Sequence, residues 1–139
     1  MKIKNLFCIV TILFSGACFA NTKSFVVISG VTHNNTNLYI SIFNSEQSYK
    51  KREPFFSKQI IANSNIVKVE IDLPQGEYLF SVFQDRNKNG KCDSNIIGIP
   101  KEPVGISKYD GKGAPGNFQK HKVLIGPDSN KVSIDLHRL

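Results

Sequence analysis

The stretch "VKVEIDLPQGEYLFSVFQD", residues 67–85, decides the fold. In its first seven residues apolar and charged side chains alternate strictly, which is the pattern of a β-strand with one face in the core and the other in water. "PQG" predicts a turn, and the more uniformly apolar "EYLFSVFQD" predicts a central strand. This period of two, in place of a helical period of 3.6, indicates an all-β protein.

Five further segments have the same strand character: residues 25–31, 38–43, 55–61, 117–125 and 131–139. We expect the first two to pair, the third to be an edge strand, and the last two to close the chain as a hairpin. The one helical turn that the sequence predicts lies at 44–51, capped by Ser45. About seven short strands separated by turn signals predict a β-sandwich, and a closed barrel is the alternative.

The first twenty residues, "MKIKNLFCIVTILFSGACFA", predict a cleaved signal peptide. Two lysines precede an apolar run, and small residues precede Ala20. An uncleaved anchor and a lipid on Cys18 are the alternatives, but the run is short for a membrane span of ~20 residues. We therefore expect one domain, residues 21–139, in the periplasm or secreted, with no transmembrane segment after cleavage.

Charge and cysteine content restrict the partners and the redox chemistry. Removal of residues 1–20 takes away two lysines and no acid, so the net charge falls from +7 to +5. A basic protein can bind nucleic acid, but the export signal argues against that partner and leaves an envelope or extracellular partner, or a small ligand. Cys92 is the one cysteine of residues 21–139, so no internal disulfide can form, and we expect its side chain to be buried.

The segment 86–116 contains no clear strand, and a loop of this length in a compact domain is usually functional. Its start, "DRNKNGKCD" at 85–93, follows the first half of a calcium-binding EF-hand loop, D-x-N-x-N-G-x-x-D. The candidate metal ligands are the side chains of Asp85, Asn87, Asn89 and Asp93 and the backbone carbonyl of Lys91.

The second half of that pattern is missing, because Ile96 occupies the position of the bidentate glutamate and no flanking helices are predicted. Ca²⁺ would therefore bind weakly, with a Kd of ~10⁻⁴–10⁻³ M. The alternative, which the missing half favours, is a metal-free turn in which Asx side chains accept backbone N–H bonds. Glu102 lies between two prolines, and we expect it to pin the loop by accepting N–H bonds, by pairing with a lysine or as a distant calcium ligand.

The segment "QDRNKNGKCDSNIIGIPKEPVGIS", residues 84–107, closely resembles the signature of the DUF2141 family, exported bacterial proteins of unknown function. The preceding "LPQGEYLFSVFQD" is similar to that family's Leu-Pro-x-Gly-x-Tyr strand. The resemblance covers most of residues 21–139. It implies export and an immunoglobulin-like or transthyretin-like sandwich with one long inserted loop, and it implies neither a reaction nor a ligand. The family's usual aliphatic residue at position 92 supports a buried Cys92.

No catalytic constellation can be assembled from these residues, so we expect a protein that is not an enzyme. Ser107 lacks the second glycine of a Gly-x-Ser-x-Gly elbow, and His33, His121 and His137 have no zinc-binding spacing. One candidate function is a ligand- or partner-binding module that uses the 86–116 loop. The other is a structural or accessory envelope protein in which the loop only stabilises the fold. An exposed apolar patch over the loop would favour the first, and an unprotected edge strand the second.

Overall fold

The structure is a computed structural model that describes residues 20–32 and 35–139. The predicted signal peptide up to residue 19, including Cys18, lies outside the described residues, as does His33. The elements in chain order are β1 (Asn21–Ser29), β2 (Thr36–Phe43), α1 (Glu46–Lys51), β3 (Phe56–Ala62), β4 (Val67–Pro74), β5 (Gly76–Asp85), β6 (Val104–Ile106), α2 (Phe118–His121), β7 (Val123–Ile125) and β8 (Lys131–Asp135). Within these ranges no helix is long and apolar enough to cross a membrane.

The strands form two sheets, and the predicted all-β sandwich is confirmed. The smaller sheet has the order β4-β1-β8, in which β1 is antiparallel to β4 and parallel to β8. The larger sheet has the order β3-β2-β5-β6, with β7 paired to the first residues of β5. As predicted, β3 lies at an edge and β5 lies in the centre of its sheet.

The core lies between the two sheets and follows the alternation in the sequence. On β4 the four apolar residues are buried and the three charged residues between them are exposed. The facing strands of the larger sheet contribute the completely buried Leu38, Phe80 and Val82. Burial of this kind stabilises by about 1.5–3 kcal/mol per large side chain, so the core provides the main driving force for folding.

A second, smaller apolar cluster covers part of the outer face of the larger sheet. Its buried members are Phe43, Leu79, Ile106, Tyr109 and Phe118. The helix α1 closes over it, with Ser45 as the N-cap in a capping box, as the sequence predicts. The Glu46 carboxylate also accepts a 3.0 Å hydrogen bond from the Phe118 N–H, which ties α1 to α2.

The two sheets are joined along one side by β6 and the residues after β8. The Val104 N–H donates to the His137 carbonyl at 2.9 Å, and the His137 N–H returns the bond at 2.8 Å. Between these bonds Gly105 is tightly enclosed, because a Cβ there would lie 2.6 Å from Ile134 Cγ2. In the described residues this is the one bridge that pairs the two sheets, so the architecture is a sandwich joined on one side rather than a closed barrel.

Two predicted strand pairings are wrong, and one strand was not predicted. Strands β1 and β2 lie in different sheets, because the connection after Gly30 carries the chain across the sandwich. The predicted closing hairpin does not form, since β7 pairs with β5 and β8 pairs with β1. The segment 86–116 does contain a strand, β6. Alternation reports which face of a strand is buried, but it does not identify the neighbouring strand.

The predicted strand at 117–125 begins as a helix. The Asn117 side chain accepts the Lys120 N–H at 3.1 Å and caps α2, which buries Phe118 and His121. Only Val123–Ile125 continue as a strand. The N-cap asparagine therefore outweighs the short alternating pattern that follows it.

Candidate functional site

The 85–93 turn is built on a buried carboxylate at the end of β5. Asp85 is fully buried, and its two oxygens accept the N–H groups of Asn89 at 3.1 Å and Gly90 at 2.8 Å. Gly90 has a φ of +76°, the left-handed conformation that glycine adopts without strain. The turn is therefore wrapped around Asp85, with each carboxylate oxygen keeping a lone pair for a further partner.

Two asparagine amides converge on Asp93 from the other side of the turn. The Nδ2 groups of Asn87 and Asn89 each donate to Asp93 Oδ2 at 2.7 Å. These hydrogen bonds lower the pKa of the Asp93 carboxyl from its ordinary value of 3.8. The Oδ1 atoms of the same amides accept the N–H groups of Asn89 at 3.2 Å and Lys91 at 2.9 Å, which are the hydrogen bonds of Asx-turns.

The structure therefore brings the four predicted side-chain ligands into one turn. Their present hydrogen bonds are those of the metal-free alternative, with amide N–H groups supplying the positive partner of Asp93. A calcium ion would need the oxygens of Asn87 and Asn89 to face Asp93, and a 180° rotation of each amide would set its NH₂ group against the backbone N–H that its oxygen now accepts. Calcium binding would therefore have to replace both Asx-turn hydrogen bonds.

Such a site would depend on amide and carbonyl oxygens. In the ranges that the structure describes, no group of three or more His, Cys, Asp or Glu side chains is placed to hold a metal ion. Ile96, at the position of the missing bidentate ligand, is completely exposed and apolar. Calcium and its weak affinity therefore stay predictions from the sequence.

Glu102 connects the two ends of the turn, as one of its predicted roles requires. The residue is buried, and its Oε1 accepts the Arg86 N–H at 2.9 Å while its Oε2 accepts the Asp93 N–H at 3.4 Å. It also lines an open depression of about 260 Å³ together with Arg86, Asn87, Asp93 and Lys101. Both oxygens of this buried carboxylate thus accept backbone N–H groups, which is the first of the roles that the sequence predicts for it.

Beyond Asp93 the chain forms a small hairpin, residues 94–100, which we call the apolar tip. Ser94 and Pro100 are bridge partners at its base, and the Asn95 N–H donates to the Ile99 carbonyl at 2.8 Å. The Asn95 side-chain oxygen accepts the N–H groups of Ile97 at 3.0 Å and Ile99 at 2.9 Å. The tip is thus held by its own hydrogen bonds, and Ile96, Ile97 and Ile99 are exposed to solvent on it.

The predicted burial of Cys92 is wrong, because this residue is exposed. The turn places it between the exposed Lys91 and the Asp93 carboxylate, away from the core of the sandwich. Its sulfur is nevertheless partly shielded from water, and this desolvation, with the Glu102 and Asp93 carboxylates, raises the pKa of the thiol to about 11. A thiol with so high a pKa is a poor nucleophile at neutral pH.

At the end of the loop Ser107 contacts His121, but their hydrogen bonds are made with backbone groups and do not form a catalytic pair. The Ser107 hydroxyl donates to the His121 carbonyl at 2.6 Å and accepts the Phe80 N–H at 3.1 Å. The buried His121 ring accepts the Gly116 N–H at Nε2, 3.0 Å away, so its Nδ1 carries the proton shared with the Ser107 carbonyl at 3.0 Å. The imidazole is thus occupied by backbone groups on both sides, and it does not bind the Ser107 hydroxyl as a general base would.

Sequence reasoning missed two features of this loop. The Ser107–His121 contact has no sequence signal, because the two residues are brought together by the packing of α2 on the sheet. The apolar tip had a signal, since "NIIGIP" places three isoleucines in a segment without strand alternation. A short apolar run bounded by turn residues does not by itself tell whether its side chains are buried or exposed.

Comparison with known proteins gives one match. The model of the family described as "Uncharacterized protein conserved in bacteria (DUF2141)" matches residues 26–133, which include both sheets and the entire 86–116 loop. No curated protein and no solved structure matches the chain. The immunoglobulin-like or transthyretin-like form of the sandwich therefore stays a prediction.

Proposed function

Because the chain belongs to the DUF2141 family, whose description assigns no activity, we propose from its own residues that it is an exported, non-enzymatic binding module. In this proposal the sandwich is the scaffold, and the 86–116 loop contacts a ligand or an envelope partner. Rigid sheets that present one long loop are a common arrangement for binding.

The observation that carries the proposal is the apolar tip. Ile96 and Ile97 are exposed on a hairpin whose backbone is fixed by the Asn95 side chain and by cross-hairpin hydrogen bonds. A loop without such hydrogen bonds could bury these side chains against the domain, whereas this hairpin keeps them exposed to solvent. Ordered, clustered apolar side chains at the surface mark interaction sites.

Calcium enters the proposal as a weak ligand that organises the base of the same loop. Asp85 and Asp93 supply the charge, the amides of Asn87 and Asn89 supply neutral oxygens, and the Lys91 carbonyl lies between them in sequence. The ion would fix the turn from which the apolar tip projects.

The calcium part is tested by thermal melting of residues 21–139 in EDTA and in up to ~10 mM CaCl₂, with MgCl₂ as the ion control. Calcium at ten times its Kd adds about 1.4 kcal/mol, and the melting temperature should rise by several degrees. Asp93→Ala should abolish this rise, while Asp110→Ala, at an exposed aspartate later in the loop, should keep it. An equal calcium response in both variants would place the ion elsewhere.

The binding role is tested by a photo-crosslinking amino acid placed at residue 97 and, as the control, at residue 124. Leu124 is also exposed, but it pairs with Glu77 at the opposite end of β5 from Asp85. We expect an envelope adduct from position 97 and none from position 124. Export is tested on the same cells, since the mature protein should begin at Asn21 by mass spectrometry.

The alternative, an accessory envelope protein that associates through a sheet edge, has a specific observation in its favour. Ile61 on the edge strand β3 is exposed. Lys58, at the middle of the same strand, is also exposed, and a lysine there opposes the addition of another strand. An adduct from position 59, with none from 97, would favour this alternative.

A further inference from the structure

We propose that the surface bound by the loop is an anionic phospholipid bilayer, into which Ile96 and Ile97 insert. This inference rests on the proposed function and names the class of partner that the same site would contact. It follows from the shape of the apolar tip, from its chemistry and from the charges around it.

The tip protrudes into solvent, and hydrogen bonds within it hold its backbone. Ile96 is 103% exposed and Ile97 is 74% exposed, so neither side chain packs against its own domain. A protruding apolar tip fits a partner that deforms around it, and the acyl region of a bilayer does so without a preformed pocket. Because the hairpin is already ordered by the Asn95 bonds, insertion costs little backbone entropy.

The chemistry of the tip favours lipid over a protein partner. Protein hot spots are rich in Trp, Tyr and Arg, whereas this tip offers branched aliphatic side chains and one glycine. Of its two polar side chains Ser94 lies at the base, and the Asn95 oxygen is occupied by two backbone N–H groups.

The charges next to the tip fit anionic headgroups. Lys88 and Lys91 precede the hairpin and Lys101 follows it, and all three are exposed. Of the neighbouring acids Glu102 is buried on backbone N–H groups, and Asp93 keeps its negative charge while it accepts two amides, so three exposed lysines outnumber the one accessible acid. Cations that lie beside an inserting apolar group are the arrangement of interfacial binding sites.

Leu124 and Ile61, two other exposed apolar residues, lack this combination. Leu124 stands on a strand beside the Lys122–Glu77 ion pair, whose N–O distance is 2.7 Å, so the nearest cation is already neutralised. Ile61 lies on the edge strand β3, where it follows the exposed polar residues Ser57, Lys58 and Gln59.

The test is flotation of residues 21–139 with vesicles of phosphatidylcholine alone or of phosphatidylcholine and phosphatidylglycerol at 7:3, in EDTA so that calcium cannot bridge. We expect binding to the anionic vesicles. The double change Ile96→Ser and Ile97→Ser should weaken it about tenfold or more, because each isoleucine loses its transfer into the acyl region. Leu124→Ser, a matched loss of exposed apolar surface, should leave it unchanged.

The lysines give a second readout. The double change Lys91→Gln and Lys101→Gln should weaken binding by about fivefold per charge removed, and 500 mM NaCl should weaken it further. All of these side chains are exposed, so the variants should melt at the wild-type temperature, which is measured in parallel.

Absence of binding to anionic vesicles would overturn the inference. The inference would also be overturned if 500 mM NaCl abolished binding while the Ile96→Ser and Ile97→Ser variant bound as well as the wild type. That result would mean that the protein adsorbs to the vesicle surface by charge alone. If the vesicles fail while the crosslinker at position 97 gives a protein adduct, the binding module stands and its partner is a protein. If both fail, the proposed function fails with the inference.

Discussion

Replacement of Asp85 by alanine should cost more stability than any other single change in the 85–93 turn. The fully buried carboxylate accepts the N–H groups of Asn89 and Gly90. Hydrogen bonds to a charged group contribute about 1.5–3 kcal/mol each. The Gly90 N–H has no other acceptor among the described contacts, whereas the Asn89 N–H keeps Asn87 Oδ1 at 3.2 Å. We therefore expect one full loss and one partial loss, about 3 kcal/mol in all.

The assay is urea unfolding of residues 21–139 at pH 7 in EDTA, which removes any contribution of calcium. A loss of about 3 kcal/mol should lower the melting temperature by roughly 10 °C, because a domain of this size loses about 3–6 °C per kcal/mol. The control is Asp72→Ala, since Asp72 is an exposed residue on β4 and its change should stay within about 0.5 kcal/mol. Asp85→Asn should be intermediate, because it retains one acceptor oxygen.

A loss below about 1 kcal/mol for Asp85→Ala, or a loss equal to that of the control, would refute the reasoning. The turn would then be held by its other hydrogen bonds, and the buried carboxylate would be free of a structural role. A changed dependence of the unfolding free energy on urea would also count against it, because two-state unfolding of the same fold requires an equal slope.

Three further predictions concern the thiol, the acid stability and the sheet junction. The pKa of Cys92 is raised to about 11 from 9.0, so at pH 8 the fraction of thiolate in the folded chain is about a hundredfold lower than in the unfolded chain. A thiolate of higher pKa is also more nucleophilic, which offsets part of this loss. Iodoacetamide at pH 8 should therefore alkylate the folded chain about tenfold more slowly than the same chain in urea. Equal rates, or a rate profile with a pKa near 9, would contradict the prediction. The pKa of Asp93 is lower in the folded chain than its value of 3.8 in the unfolded chain, so ionised Asp93 stabilises the fold at any pH above 3.8. This contribution is lost as the pH falls through the lower pKa of the folded chain. The stability difference between wild type and Asp93→Asn should therefore shrink between about pH 5 and pH 2, and a constant difference would count against it. Gly105→Ala should cost about 2 kcal/mol or more in urea unfolding, because the new Cβ would lie 2.6 Å from Ile134 Cγ2. Gly126→Ala is its control, since nothing lies closer than 3.6 Å to a Cβ there, and similar losses in both variants would show that the junction tolerates the methyl group.

The positions of the strands could be predicted from the sequence, but their partners could not. Alternating burial along β4 and the more extensive burial of β5 are direct consequences of where each strand lies in the sandwich. The parallel pairing of β1 with β8 depends on how the connections cross between the sheets, and such crossings have no periodic signal. The short β6 was missed because its three residues are buried on both faces and are too few to show a period.

The candidate site could be predicted in part. The acceptor role of Glu102 was among the expected roles, and the Asx hydrogen bonds of the turn follow from the side chains themselves. The exposure of Cys92 could not be predicted from its residue type, because free cysteine is usually buried and only the path of the turn brings it outward. Calcium binding stays a prediction, since the same residues satisfy one another without an ion.

The position of β8 has a consequence for how the chain reaches its folded state. The smaller sheet is completed only when Lys131–Asp135 lies beside β1, whose residues stand about a hundred positions earlier in the chain. Before residue 135 has been made, β1 lacks one of its two neighbours and the join to β6 is absent, so folding cannot be completed segment by segment during synthesis. Pairings so distant in sequence form slowly. A chain that completes its core late leaves apolar strand faces and an unpaired edge of β1 exposed for longer, and such intermediates are prone to aggregate.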